Sequence, residues 1–285
     1  MVIQISKETC PRPFLKWAGG KGRLIQQYIP YFPKNYKTYY EPFLGGGAVF
    51  FYLQPTAAAL TDINAELVTT YRCVRDNVED LIWLLKEHQD KHSKDYYYNV
   101  RDNPGSTDLE KAARLIYLNK TCFNGLYRVN SQGKFNVPLG RYDNPNICPE
   151  DLLRADSVAL SQTQIQHEDF IKVLNYATSS DDFVFFDPPY HPISETSYFT
   201  AYSPNSFNKK DQERLRDTCA ELANRGVKVM ICNSDCEFIR KIYIDINFEV
   251  HRIKAARTIN SNTKNRGMIY ELLITSFKDF YLPKQ

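Results

Sequence analysis

A mixed α/β fold, interrupted by a mainly helical insertion that carries a β-hairpin, is the architecture this 285-residue sequence predicts. Three observations predict it. The first is Phe183-Val184-Phe185-Phe186, four large apolar residues in a row, which read as a strand buried on both faces at the centre of a parallel sheet. The second is Gly45-Gly46-Gly47, set between a strand end at Tyr39-Tyr40-Glu41-Pro42-Phe43 and a helical run over 48–53. Strand, glycine turn and helix in that order open a nucleotide-binding α/β unit. The third is the segment 123–142, whose short alternating runs around Ser131-Gln132-Gly133 predict a hairpin. Residues 1–70 and 150–285 are expected to form one discontinuous domain and 71–149 the insertion.

Charge distribution narrows the partners. The net charge is only +3, yet 111–142 holds six bases (Lys111, Arg114, Lys120, Arg128, Lys134, Arg141) and no acid. Residues 250–270 hold five more (Arg252, Lys254, Arg257, Lys264, Arg266), again without an acid. Setting these 11 aside leaves 25 of the 36 bases against all 33 acids. Segregation of this kind is the footprint of a polyanion partner. Seven cysteines form no C-x-x-C pair, and no signal peptide or long apolar segment is visible, so free thiols in a reducing cytoplasm are expected. Cys232 and Cys236 lack companion ligands for zinc. His88 and His92, one helical turn apart, have no third ligand nearby and read as a solvated face.

Along the chain, Gly19-Gly20-Lys21 precedes a helical run over 23–29 that stops at Pro30. Paired glycines before a helix let backbone N–H groups approach an anion, although the spacing is not that of a Walker loop. Ala57-Ala58-Ala59-Leu60-Thr61-Asp62 reads as a second strand ending on an acid, well placed to take a ribose hydroxyl pair. Helices fill 63–92, and Thr107-Asp108-Leu109-Glu110 is a capping box that opens another helix to about 120. Beyond 149 the pattern returns to α/β: a short helix, a strand near 162–166, a helix opening at His167-Glu168-Asp169-Phe170, then the apolar strand. A polar, aromatic loop over 191–207 (Thr196, Ser197, Tyr198, Phe199, Tyr202), a helix over 208–224 closed by Gly226, and a strand from Val227 follow. Runs near 248–254 and 268–277 read as a closing pair of strands.

The central strand ends on Asp187-Pro188-Pro189-Tyr190. A residue before proline is pushed to extended geometry, so a carboxylate and a ring are held at the carboxyl end of a central strand, where open α/β sheets bind ligands. These four residues resemble the catalytic motif of amino-methyltransferases. Lys16-Trp17-Ala18-Gly19-Gly20-Lys21, Glu41-Pro42-Phe43-Leu44-Gly45-Gly46-Gly47, the acid of Thr61-Asp62-Ile63-Asn64 and the 123–142 hairpin then resemble, in the same linear order, Dam-type (α group) DNA adenine-N6 methyltransferases. The likeness runs from Lys16 to Phe277.

That resemblance implies a Rossmann-like methyltransferase sheet with S-adenosylmethionine as cofactor and no metal. Trp17, Lys21, Phe43, Gly45, Asp62, Asp169, Phe170 and Asp187 would line the cofactor site, with Asp187, Pro188 and Tyr190 catalytic. Lys16, Asn124, Leu126, Arg128 and Pro138 would face the target sequence, GATC in this family. Arg141 would meet phosphate, and Phe123 and Tyr142 would wedge into double-stranded DNA where the base is flipped out; Lys134, from the acid-free window, is expected to bind DNA phosphate on its charge alone. Many relatives carry Tyr at position 123; the stacking face is retained. The expected protein is a cytoplasmic, nucleoid-associated monomer or weak dimer of the kind used in DNA methylation and restriction-modification, without a membrane segment. Two alternatives stand beside it: an enzyme of the same class acting on RNA or on a protein glutamine, which would more often carry Asn at position 187, and a non-catalytic DNA-binding module.

Overall fold

The computed structural model describes residues 9–193, 207–256 and 268–280. The expected loop residues Thr196, Ser197, Tyr198, Phe199 and Tyr202, and the bases Arg257, Lys264 and Arg266 of the second acid-free window, lie outside the described residues. The strands are β1 (Thr38–Glu41), β2 (Ala58–Asp62), β3 (Thr163–His167), β4 (Asp182–Phe186), β5 (Lys228–Ser234), β6 (Glu249–Ala256) and β7 (Met268–Thr275). They form one seven-stranded sheet in the order β3-β2-β1-β4-β5-β7-β6. β1 pairs parallel with β2 and β4, and β4 with β5, whereas β7 runs antiparallel between β5 and β6. The α-helices among the described residues are α1 (Ile25–Tyr28), α2 (Ala48–Leu53), α3 (Ala65–Asp76), α4 (Val78–Asp90), α5 (Lys94–Asp102), α6 (Asp108–Thr121), α7 (Glu150–Leu160), α8 (Lys209–Asn224) and α9 (Glu237–Ile244).

Contacts divide the chain into two compact units. Unit 1 is Met1–Gly20, Gly45–Gln54 and Asn64–His167; unit 2 is Lys21–Leu44, Pro55–Ile63 and Glu168–Gln285. In unit 2 every residue of β4 is buried, as its unbroken apolar run requires. Val184 and Phe186 pack with Leu215 and Leu222 of α8 and with Val229 and Ile231 of β5. On the opposite face Phe183 meets Phe32, Tyr36, Tyr39 and Phe277, and Phe185 meets Tyr28. Each phenylalanine so buried contributes roughly 1.5–3 kcal/mol, which makes β4 the firmest base in the unit on which to mount a side chain.

Unit 1 is helical. Its α6 starts at the expected capping box, with the Glu110 N–H donating to the Thr107 hydroxyl (3.2 Å) and the Thr107 N–H to the Glu110 carboxylate (2.9 Å). Residues 112–119 are then buried without interruption. α6 can be apolar on nearly all sides because α3, α4 and α5 all pack against it.

Three local expectations come out differently. The run over 23–29 is a 3-10 turn (Lys21–Arg23), a single α turn, and a second 3-10 turn (Ile29–Tyr31). Pro30 sits inside that last turn, where its missing N–H has no partner to lose. The helix opening at 167–170 is a 3-10 stretch, Phe170–Asn175. His88 and His92 are half-buried, not a solvated face: each shares a hydrogen bond with a tyrosine hydroxyl, Tyr96 at 2.9 Å and Tyr117 at 2.8 Å. Burial pushes His88 down to about 4, so its ring is a neutral packing element stacked on Tyr117.

Candidate functional site

In unit 2 the chain leaves β1 for β2 on one side and β4 for β5 on the other, so strand order reverses between β1 and β4. The carboxyl ends of two such strands are where an open α/β sheet holds its ligand. β1 delivers Phe43, whose ring stacks on Phe170 (5.3 Å between centroids, 24°) with Phe207 edge-on to it (5.7 Å). β2 delivers the half-buried Asp62, whose backbone carbonyl accepts the Glu168 N–H at 3.2 Å and so fixes where Asp169 and Phe170 begin. Asp169 has a local duty of its own. It accepts the Ile171 N–H (3.0 Å) at the head of the 3-10 stretch and pairs with Arg214 (3.4 Å), whose guanidinium lies over the Phe170 ring.

β4 delivers Asp187. Its Oδ1 lies 2.9 Å from the Lys21 ammonium, a side chain only 4% exposed. A buried cation is tolerated only when its charge is matched. Here the Lys21 Nζ is also 4.0 Å from Glu271 on β7 and 4.5 Å above the Tyr190 ring. Burial alone would lower the Lys21 ammonium, but Asp187 foremost, then Cys232 and Glu271, outweigh it and hold it above its ordinary value. Burial pushes the Asp187 carboxyl up to about 6; Lys21 pulls against that rise and Glu271 adds to it. Lys21 engages the Asp187 carboxylate through Oδ1.

The backbone that follows is clamped on both sides of Tyr190. Gln212 donates to the Pro189 carbonyl (2.9 Å), and the His191 N–H donates to Asn233 (3.1 Å). Asn233 in turn donates to Gln212 (2.9 Å), and the Ser234 hydroxyl donates to the His191 carbonyl (2.7 Å). The Tyr190 hydroxyl donates to Glu271 at 2.6 Å, which fixes the ring at its tip. Sequence reasoning missed Glu271, Gln212 and Asn233. Glu271 left a signal, as the one acid in an apolar closing strand; Gln212, in the first turn of a polar helix, left none.

Unit 1 holds the other expected residues. Trp17 packs on the glycine turn: a Cβ on Gly45 would lie 2.9 Å from Trp17 Cδ1, and Gly45 has φ +48°. The turn therefore demands glycine for internal packing alone. Lys16 puts its Nζ 4.8 Å above the Tyr142 ring and 3.4 Å from that tyrosine's hydroxyl. Buried Asn119 of α6 stitches this segment down: it accepts the Lys16 N–H (2.8 Å) and donates to the Lys16 and Gly125 carbonyls (2.8 and 3.0 Å).

The expected hairpin is present as isolated bridges (Cys122 with Leu139, Val129 with Phe135) and not as regular strands. Asn130 closes its tip by accepting the Gln132 and Lys134 N–H groups, each at 3.0 Å, and the Phe123 N–H donates to the Pro138 carbonyl at 2.9 Å. Arg128 donates from Nε to the Asn136 side chain (2.7 Å) and from Nη2 to its carbonyl (3.2 Å). Phe123, Asn124, Arg128, Lys134, Pro138, Arg141 and Tyr142 are exposed and Leu126 is half-buried. Lys134 and Arg141 form no salt bridge among the described residues.

The match to known proteins fits both halves. Residues 17–259 match the model of the D12 class N6 adenine-specific DNA methyltransferases. The chain belongs to that family. It is 44% identical to the type II methyltransferase M1.LlaDCHI of Lactococcus lactis subsp. cremoris, over 93% of this chain and 95% of that protein. The type II methyltransferase M.MjaIII of Methanocaldococcus jannaschii is 41% identical, over 93% and 99%. The DNA adenine methylase of Escherichia coli (strain K12) is 34% identical, over 92% and 94%. This D12 enzyme is thus an adenine-specific DNA methyltransferase, and DNA is its substrate. Among the described residues no cluster of His, Cys, Asp and Glu could hold a metal ion, and no helix is long and apolar enough to cross a membrane.

Proposed function

We propose that this enzyme moves the methyl group of S-adenosylmethionine to N6 of an adenine flipped out of duplex DNA, within GATC. The observation that carries the reading is Asp187, a carboxylate at the switch point of the sheet, engaged through Oδ1 by a buried lysine and followed by a clamped backbone. An adenine amine is a weak nucleophile because its lone pair is delocalised into the ring, and inside the duplex it is locked in a base pair. Extrusion of the base removes the second obstacle. Asp187 and the Pro188 carbonyl accept the two N6 hydrogens, which draws the nitrogen toward tetrahedral geometry and offsets the charge that develops on it. Lys21 keeps Asp187 in place and, by opposing the effect of burial, ionised above about pH 6. Tyr190, held at its tip by Glu271, presents its ring to the base.

S-adenosylmethionine supplies an electrophilic methyl group on a sulfonium centre. The donor set of unit 2 fits it: Asp62 for the ribose hydroxyls, the Phe43 and Phe170 stack for the adenine ring, and Asp169 beside them. Trp17 and Gly45 are assigned to the cofactor by family resemblance. Residues 71–149 act as the target-recognition domain: Asn124, Leu126, Arg128 and Pro138 face bases together with Lys16 from outside that domain, Lys134 and Arg141 neutralise phosphates, and Phe123 and Tyr142 wedge at the vacated position. The enzyme works as a monomer or weak dimer in the cytoplasm.

The test is a filter assay with methyl-labelled S-adenosylmethionine and duplexes with and without GATC. Label should reach adenine only in the GATC duplex. Equal labelling of both duplexes overturns the sequence assignment, and no labelling of either overturns the cofactor assignment.

A further inference from the structure

Tyr127 stands between the two groups of residues that unit 1 contributes, and its position is unlike that of its neighbours. Arg128, Val129, Asn130 and the hairpin tip are exposed, whereas Tyr127 is half-buried and held on three sides. One face of its ring stacks on Trp17 (5.2 Å, 26°). The ring of Phe135, from the opposite arm of the hairpin, meets it edge-on at 6.0 Å. Its hydroxyl donates to Glu66 Oε2 at 3.0 Å.

Glu66 is itself fixed. It lies in the first turn of α3, and its other oxygen pairs at 3.0 Å with Arg114, a guanidinium only 8% exposed. Arg114 also donates from Nε to the Val100 carbonyl and from Nη2 to the Arg101 carbonyl, so each of its three nitrogens is tied. A carboxylate paired with a buried arginine held in this way resists following a moving phenol. Tyr127 is therefore locked to the helical body at one end and to the indole of the cofactor motif across its face.

We propose that Tyr127 is a positioning residue that couples the cofactor motif to the base-reading hairpin, so that one contact governs both affinity for S-adenosylmethionine and the discrimination made by the adjacent Arg128. The proposal rests on the functional reading above. A shift of Trp17 against the ring has to be transmitted to the backbone that carries Arg128, because the Glu66 bond prevents the ring from sliding to absorb it. Coupling between two ligands is reciprocal: whatever cofactor does for specific DNA binding, specific DNA must do for cofactor binding.

The full chain tests this with Tyr127→Phe, which keeps both ring contacts and removes the hydroxyl's contacts with Glu66 and Asn64, and Tyr127→Leu, which removes the ring contacts as well. Three quantities are read: the Kd of S-adenosylmethionine with and without a GATC duplex, the ratio of kcat/KM on GATC to that on a site with one outer G·C pair changed, and the melting temperature. In Tyr127→Leu the factor by which GATC DNA tightens cofactor binding, and the discrimination ratio, should fall together, each on the order of fivefold or more. The phenylalanine variant should move both in the same direction by less, and kcat at saturation should move far less than either. A purely structural tyrosine would lower the melting temperature and leave both ratios intact, which overturns the proposal. Loss of discrimination with unchanged cofactor coupling also overturns it. If the unaltered enzyme fails to use S-adenosylmethionine, the functional reading falls and takes this proposal with it. If the unaltered enzyme is active and both variants match it, the proposal alone falls.

Discussion

The two regions that carry expected function are built on opposite physical plans. In unit 2 the proposed reactive group, Asp187, follows a strand whose residues are all buried, beside a lysine that is nearly sealed from water and within reach of a second carboxylate. In unit 1 the proposed reading residues stand exposed on a hairpin with only isolated bridges, and their order comes from behind, through buried Asn119 and the Glu66–Arg114 pair. Chemistry gains from low dielectric, where one charge can hold another in place and shift its proton affinity. Reading a duplex requires side chains that can leave water for phosphate or a base edge, so they cannot be buried beforehand. Rigidity is internal to the first region and borrowed by the second.

The sharpest way to break the comparison is Asp187→Ala. Removing an anchored acceptor at the reacting amine should cost about 3 kcal/mol or more of barrier, a loss of roughly 10²–10³ in kcat. DNA affinity and circular dichroism at room temperature should stay close to those of the unaltered enzyme, because the residue lies beyond the apolar run of β4, while the melting temperature falls because buried Lys21 loses its nearest counter-charge. Activity within a few-fold of the original would show that the buried site is not where the chemistry happens.

Next in size is Arg128→Lys. A lysine keeps the charge and loses the two-pronged guanidinium geometry. If Arg128 reads guanine, discrimination at one outer position of GATC should drop by about 1–3 kcal/mol in relative kcat/KM, with non-specific affinity unchanged. A uniform weakening on all duplexes would make Arg128 a backbone contact.

The third prediction concerns pH and belongs to the buried region alone. Asp187 has a folded value of about 6, raised from 3.8. Its protonated form favours the fold, so its contribution to stability is present below the ordinary value and lost as pH rises toward 6. Activity runs the other way, because only the ionised carboxylate can accept from Lys21 and from the N6 amine together. The acid limb of kcat/KM should therefore fall tenfold per unit below about pH 6. Lys21→Gln removes the charge that holds the carboxyl down and should move that limb to higher pH. A limb that stays where it was would separate Lys21 from the ionisation of Asp187.

The smallest effect belongs to the exposed region. Neutralising Lys134 or Arg141 should reduce the slope of log K against log[salt] by about one per phosphate contact, with little change in GATC preference. An unaltered slope would identify these bases as solvated.

How much of this was legible beforehand follows the same division. The apolar run at 183–186 announced a strand buried on both faces, and its abrupt end announced a carboxylate at the carboxyl end of that strand. Thr107 and Glu110 announced the start of α6, and the glycine at 133 with its neighbours announced a turn. These are local facts, settled within a few residues by sterics and hydrogen bonding. The alternating runs announced the hairpin but not how few of its residues pair in bridges, because the Asn130 side chain takes the Gln132 and Lys134 N–H groups at the tip. His88 and His92 were misread, because helical spacing reports a shared face and not what covers it; Tyr96 and Tyr117 do.

By itself, then, the sequence determined the sheet, the position of a carboxylate at its switch point and a basic, aromatic segment elsewhere in the chain, since periodicity, proline and glycine act over short range. Only the tertiary structure decided that Lys21 would spend its charge on Asp187, that Glu271 would hold Tyr190 at its tip, and that Tyr127 would join Trp17 to Glu66. Those partners lie tens to hundreds of residues apart, and no local rule relates them. They meet because each buried charge or hydroxyl must find a partner, and which one it finds depends on how the strands and helices are stacked.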